Sequence, residues 1–288
     1  YMSPTTSENF AIQMRLNLDG IGAQLTLEDG YTKVTKIIPG GAADKQGELK
    51  TGDRIVSVGQ DTEGEMQDVI DMKLNDVVSR IRGKPGSMVR LGIIPEKSTE
   101  SKVLTIKRAK IELKDSEARG DIIEYKVPDS KKTLHIGVIN LPSFYMDMDA
   151  ARRGEKDFRS TTRDCRRIIE GFKEEGIDGM IMDLSTNGGG SLTESIDLTG
   201  LFIDLGTVVQ VKDPSGRVQQ YDDRTEGTSY DGPLVVLCSK FSASASEIFA
   251  GAIVDHGRGI VVGDSTTHGK GTVQNFLELG SRFFNISN

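Results

Sequence analysis

At 288 residues the chain is long enough for two domains and a sizeable core, and 27% charged against 36% hydrophobic residues is the balance of an ordinary soluble globular protein. A formal net charge of −7 argues against nucleic acid as a partner, and no apolar run reaches membrane-spanning length. Three scattered histidines and two cysteines, Cys165 and Cys238, give neither a metal site nor a disulfide framework, so no metal or cofactor is expected and both thiols read as packing residues.

The first residues, Tyr1-Met2-Ser3-Pro4, read as the inside of a longer chain, with residues 1–9 the remnant of an N-terminal region. Residues 10–108 read as one small mixed domain. Gly20-Ile21-Gly22-Ala23-Gln24-Leu25 starts a strand with small residues where a backbone must stay open. A strand over Tyr31–Ile38, the turn Pro39-Gly40-Gly41 and a short helix from Ala42 follow, then a turn into a strand over Leu49–Val58. Val69, Leu74, Val77, Val78 and Ile81 have helical spacing within Val69–Arg82, and Val89–Ile94 and Lys102–Arg108 alternate as paired strands.

This order, with G-G-A-A-x-x-G-x-L-x-x-G-D-R-I-x-x-V from Gly40 to Val58, resembles a bacterial PDZ domain. The resemblance implies a carboxylate-binding loop at Gly20–Leu25, taking in Gly20, Ile21, Gly22, Ala23 and Leu25, with Ile21, Leu25 and the Val69–Ile81 helix lining a pocket for the last side chain. Loop N–H groups would hold a C-terminal carboxylate while the peptide adds as a strand to an open sheet edge. Core packing is the plainer reading for any one of these side chains.

Ala109–Gly120 is a charged passage out of this module, and 109–288 reads as a second domain. Leu134–Ile139 is an apolar strand, Asp147–Gly154 a polar loop, and Thr161–Lys173 an amphipathic helix with Cys165, Ile168, Ile169 and Phe172 as its stripe. Gly179–Leu184 is a buried strand ending in Ser185-Thr186-Asn187-Gly188-Gly189-Gly190, with a helix from Ser191. Strand, glycine turn and helix make a βαβ element, and ligands gather at the carboxyl ends of such strands. Val208–Lys212 and Val218–Tyr221 surround a hairpin turn, and Pro233–Cys238 is another buried strand.

That strand delivers the chain to Ser242-Ala243-Ser244-Ala245-Ser246, which opens a helix over Glu247–Val254; Ile260–Val262, the length of a buried strand, and a loop carrying Gly269-Lys270-Gly271 follow. A serine opening a helix and a lysine on a glycine loop after the next strand can face each other. The lysine can take the serine's proton only when neutral, which needs a desolvated pocket. The helix N-terminus supplies N–H groups for a developing oxyanion. A phosphate-binding loop fails here, because Gly263 and Gly269 enclose five residues and Gly271 follows the lysine. An esterase lacks its G-x-S-x-G elbow around Ser244. His256 beside Asp255 offers a histidine base as a competing choice, and a flexible serine loop with a solvated lysine is the bland one.

Ser242–Ile248, Asp255-His256-Gly257-Arg258, Gly269–Gln274 and the D-L-x-x-N-G-G-G run at Asp183–Gly190 together resemble the carboxy-terminal processing, or tail-specific, serine proteases, closest to the large periplasmic members of Gram-negative bacteria. The resemblance implies an α+β / α/β chain, a PDZ-like domain plus a βαβ-containing, crotonase-like protease core. It implies Ser244 as nucleophile, Lys270 as general base, Gln274 as the residue orienting the lysine, Gly190 and Ala245 N–H groups as the oxyanion hole, and Asp255 and Glu247 in support. Substrates would be proteins or peptides with apolar C-termini, with an adaptor protein as a further partner and the periplasm as location. Ser244 and Lys270 stand one residue farther apart than is usual in that family, with the extra residue in Asp264–His268 and His268 in place of an aromatic. The chain is expected to stop inside the protease domain, which leaves a latent core that only binds C-terminal peptides as the alternative.

Overall fold

A computed structural model describes residues 3–273. Contacts divide the chain into two compact units, Tyr1–Glu117 with Asp147–Arg159, and Ala118–Met146 with Ser160–Asn288.

The first unit opens with helix α1 (Pro4–Arg15) and strands β1 (Asn17–Gly20), β2 (Ala23–Glu28) and β3 (Tyr31–Ile37). Helix α2 (Ala42–Gln46), β4 (Arg54–Gln60), β5 (Gln67–Asp68), α3 (Leu74–Ile81), β6 (Met88–Ile94), β7 (Lys102–Lys107) and β8 (Ala109–Glu112) follow. The main sheet has the order β2-β3-β4-β6-β7 with β5 on β4, so β2 lies at its edge. Val34, Ile55, Val89, Leu91 and Ile93 are fully buried, on the inward side of their strands, and Val77 of α3 is buried with them.

Three expectations change in this unit. The helix begins at Leu74 rather than Val69, because Asp71 takes a left-handed φ of 58° and Lys73 is the extended N-cap; Val69 is buried from the turn before it. The charged passage after residue 108 contains β8, which pairs antiparallel with β1 from Asn17↔Glu112 to Gly20↔Ala109, so the first unit runs on to Glu117. The polar stretch 147–154 is not all loop: it holds helix α4 (Met148–Arg152), whose N-cap Asp147 accepts the Ala150 N–H at 3.0 Å.

The second unit has β9 (Arg119–Lys126), β10 (Thr133–Asn140), α5 (Thr161–Glu175), β11 (Gly179–Asp183), α6 (Leu192–Thr199), β12 (Gly206–Lys212), β13 (Val218–Asp223), β14 (Leu234–Cys238), α7 (Ala245–Asp255) and β15 (Ile260–Gly263). The sheet order is β15-β14-β11-β10-β9, with β10, β11, β14 and β15 parallel and β9 antiparallel at one edge. Strands β12 and β13 form a separate hairpin. Cys165, Ile169 and Phe172 bury the predicted stripe of α5, and Cys238 is buried at the end of β14. The run at Ile260–Val262 forms β15, but at an edge, with Ile260 and Val262 exposed rather than buried.

Arg258 closes the turn after α7: its guanidinium donates to the carbonyls of Phe202, Tyr230 and Gly232 at 2.8–2.9 Å. Phe249, on the buried face of α7, meets Phe202 edge-on at 5.7 Å between ring centroids and Phe144 at 6.5 Å. Phe249→Ala is expected to cost about 3–5 kcal/mol, the range for deleting a buried ring, as a lower midpoint in chemical denaturation with an unchanged slope.

Candidate active site

Three chain crossings bring the candidate residues to the carboxyl ends of the parallel strands: the glycine turn after β11, the serine run after β14 and the lysine loop after β15. The three serines of the run separate by what their hydroxyls do. Ser242 Oγ donates to the Leu184 carbonyl at 2.8 Å and accepts the Ser239 N–H at 2.9 Å. Ser246 Oγ donates to the Asn187 carbonyl at 2.8 Å. Both are fully buried, whereas Ser244 is half-buried.

Ser244 is also the strained one. It caps α7 at φ 56°, ψ −113°, a conformation a residue with a Cβ keeps only when its surroundings enforce it. The enforcement is visible. Its N–H donates to Glu247 Oε2 at 2.7 Å, and its carbonyl accepts the N–H groups of Glu247 and Ile248 at 2.9 and 3.0 Å. The Asn187 carbonyl accepts the Ala243 N–H at 3.1 Å.

The glycine turn lies against this elbow. A Cβ at Gly189, which has φ 102°, would lie 2.8 Å from Ser244 Cβ and 3.1 Å from Ala245 N. A Cβ at Gly190, with φ 148°, would collide with the Phe144 carbonyl. Phe144 N–H and carbonyl bond to Gly189 and Ser191, which leaves the intervening Gly190 N–H outside that bridge. Ala245 is the first helical residue, so its N–H has no intrahelical acceptor. The turn and the helix start therefore put Gly189 and the Ala245 N–H beside Ser244, with Gly190 next along the turn.

Sequence reasoning missed the residue that joins these pieces. Asn187 is completely buried; its Nδ2 donates to the Leu141 carbonyl at 2.9 Å and its Oδ1 accepts the Gly189 N–H at 2.8 Å. The signal was in the N-G-G-G run, since an asparagine that bonds the backbone two residues on makes an Asx turn.

Glu247 ties the lysine loop to the elbow. Besides Ser244 N–H, its carboxylate accepts Thr267 Oγ1 at 2.6 Å, Gly269 N–H at 2.5 Å and Lys270 N–H at 2.9 Å. The His268 N–H donates to the Ser242 carbonyl at 3.0 Å. The loop after β15 is thus pinned at 267–270. The Lys270 side chain is exposed, and Gln274 lies outside the described residues.

Asp255 and His256 are not brought to Ser244. They stand at the other end of α7, about 16 Å away at 1.5 Å of rise per residue, and His256 Nε2 bonds the Thr207 carbonyl at 2.8 Å. That disposes of a Ser244–His256–Asp255 triad. No group of three or more potential metal ligands occurs among the described residues.

In the first unit, Gly20 ends β1, Ile21 and Gly22 form the turn, and Ala23 opens the edge strand β2. Gly22 takes φ 78°, where a Cβ would lie 3.1 Å from Gly41 Cα. The Ile21 and Gly22 carbonyls accept Ala43 N–H at 2.7 Å and Ile38 N–H at 2.9 Å, so the loop is held from its carbonyl side. Ile21 is buried in the core and Leu25 is half-buried on β2, with α3 packed alongside.

With this geometry in place, comparison with known proteins decides the family. The model of peptidase family S41 matches residues 135–285 and that of the PDZ domain residues 10–94. The chain belongs to peptidase family S41. Among curated relatives of this S41 chain, the tail-specific protease of Haemophilus influenzae is 38% identical over 279 residues, covering 97% of this chain and 37% of that protein. The carboxy-terminal processing protease CtpA of Bacillus subtilis is 30% identical over 283 residues, covering 96% and 53%. The chain thus spans about half or less of the length of these relatives. A solved PDZ domain of a carboxy-terminal protease from Vibrio cholerae, in complex with peptide, is 45% identical and covers 34% of this chain and all of its own, with a TM-score of 0.33. A photosystem II D1 C-terminal processing protease is 26% identical, covers 91% and 64%, and has a TM-score of 0.48.

Burial pushes the Glu247 carboxyl up, but the hydrogen bonds from Thr267, Gly269, Ser244 and Lys270 outweigh it and hold it below the usual carboxylate range. A depressed folded value means that the tie contributes stability above the unfolded value and loses it as pH falls through the folded one. Amide protection of Gly269 and Lys270, corrected for intrinsic exchange, is therefore expected to drop on acidification. Glu247→Gln should remove that pH dependence.

Proposed function

We propose that this chain is the core of a serine endopeptidase that selects protein substrates by apolar C-terminal tails. The observation that carries the reading is the division of labour in the serine run: both outer hydroxyls are bonded to buried carbonyls, while Ser244 is held on a strained elbow beside Gly189, Gly190 and Ala245. Lys270 Nζ takes the proton from Ser244 Oγ as the oxygen attacks the peptide carbonyl, and Gln274 orients the lysine. The N–H groups of Gly190 and Ala245 receive the oxyanion. The C–N bond then breaks, the leaving amine takes the proton from Lys270, and an acyl-enzyme remains. Water, deprotonated by Lys270, attacks the ester, and Ser244 recovers its proton as the acid product leaves.

The PDZ unit supports the other half of the proposal. The loop at Gly20–Leu25, whose Ile21 and Gly22 carbonyls are already engaged, suits a terminal carboxylate, and the edge position of β2 beside α3 suits an added strand, with Leu25 toward the last apolar side chain. The names of the relatives support a C-terminal-processing role, and the resemblance to the Gram-negative members supports a periplasmic setting, where an adaptor would act as a further partner. Among the described residues no helix is long and apolar enough to cross a membrane.

One observation favours a second reading, a core that binds tails without turning over: Lys270 is exposed, whereas a lysine base is kept neutral by desolvation. Incubation with an unfolded protein bearing an apolar C-terminal tail separates the two. The proposal expects cleavage, reduced at least about a thousandfold in both Ser244→Ala and Lys270→Ala. Binding without cleavage supports the second reading, and full activity in Lys270→Ala overturns the dyad.

A further inference from the structure

A groove of about 540 Å³ runs between α7 and β12. One wall is the helix face from Glu247 through Gly251 to Asp255, and the other is the strand from Thr207 to Gln210. Its floor is apolar, with Val208 and Ala252 buried and Ile248 packed against them. Three features make it more than a surface dent. Strand β12 is paired on one side only among the described strands, with β13, so no described strand forms a ladder along its other edge. Gly251 sits inside a helix, where glycine costs about 1 kcal/mol relative to alanine. A Cβ there would meet nothing within 4 Å, so the groove is open above this position. The groove also begins at Glu247, whose carboxylate holds the N–H groups of both Ser244 and Lys270.

We propose that this groove is the seat of the substrate polypeptide next to the scissile bond. The occupant is an extended chain, its main chain laid on the open edge of β12 and one side chain resting over Gly251 against Ile248. From Glu247 to Asp255 the helix rises about 12 Å, room for about four extended residues at 3.3 Å each. Asp255, held away from Ser244 by the length of α7, acquires a place at the outer mouth. The assignment rests on the reading of Ser244 as nucleophile and adds to it where the chain being cut lies.

The test uses the full chain carrying Ser244→Ala and a fluorescein-labelled, C-terminally amidated peptide of alternating valine and threonine, which offers no carboxylate to the PDZ loop. Anisotropy should report binding, weakened at least about tenfold by Gly251→Phe. Gly251→Leu, a strong helix former with less bulk, should weaken it less and raise the melting temperature. Gly171→Phe on α5, where the added Cβ also meets nothing within 4 Å and which lies outside the groove lining, is the control and should leave affinity unchanged. No binding to the parent, or equal affinity after Gly251→Phe with an unchanged melting temperature, overturns the proposal. Labelling of the Ser244 chain by a small fluorophosphonate tests the nucleophile separately: labelling without a Gly251 effect sinks the groove alone, and absence of labelling sinks the nucleophile.

Discussion

The backbone of Ser244 is the constraint on which the rest of the site depends. A residue with a Cβ at φ 56°, ψ −113° costs of order 1–3 kcal/mol, and the turn persists only because several contacts converge on it. Glu247 takes the Ser244 N–H, the buried Asn187 holds Ala243 and Ser246 on either side, and Gly189 removes the side chain that would strike Ser244 Cβ. The result is a half-buried serine at a helix N-terminus, with the Ala245 N–H adjacent.

The parallel sheet explains why the pieces meet. Each of β11, β14 and β15 runs in the same direction, so their carboxyl ends release the glycine turn, the serine elbow and the lysine loop at one rim. Glu247 then converts proximity into connection by accepting donors from both the elbow and the loop. The first unit uses backbone chemistry of a simpler kind: an edge strand beside a helix, ending in a loop whose carbonyls are already engaged. In the proposed groove of the second unit an edge strand again lies beside a helix, so one physical rule, main-chain pairing at an open edge, would serve both tail recognition and cleavage.

Much of this was legible in the sequence, for reasons that can be named. The strands β10, β11 and β14 are apolar runs bounded by turn residues, as strands inside a parallel sheet must be. The glycines and small residues around Ser244 and Gly190 announced close backbone approach. What could not be read lacked a periodic apolar signal. Strand β9 is exposed at all of its positions, so it carries no alternation, and β8 is a charged segment fixed only by its distant partner β1. The early end of the α3 pattern turned on a left-handed Asp71, which apolar spacing does not report. The role of Asn187 was hidden because its partners, Leu141, Gly189, Ala243 and Ser246, come from three separate crossings of the chain. The exposure of Lys270 was hidden too, since burial of a loop residue depends on what packs over it.

The most direct measurement is the site of attachment of a small fluorophosphonate, located by peptide mass spectrometry on the full chain. The account predicts one adduct, on Ser244, with Ser242 and Ser246 unmodified because their hydroxyls are committed to buried carbonyls. An adduct on either outer serine, or equal labelling of all three, would contradict it.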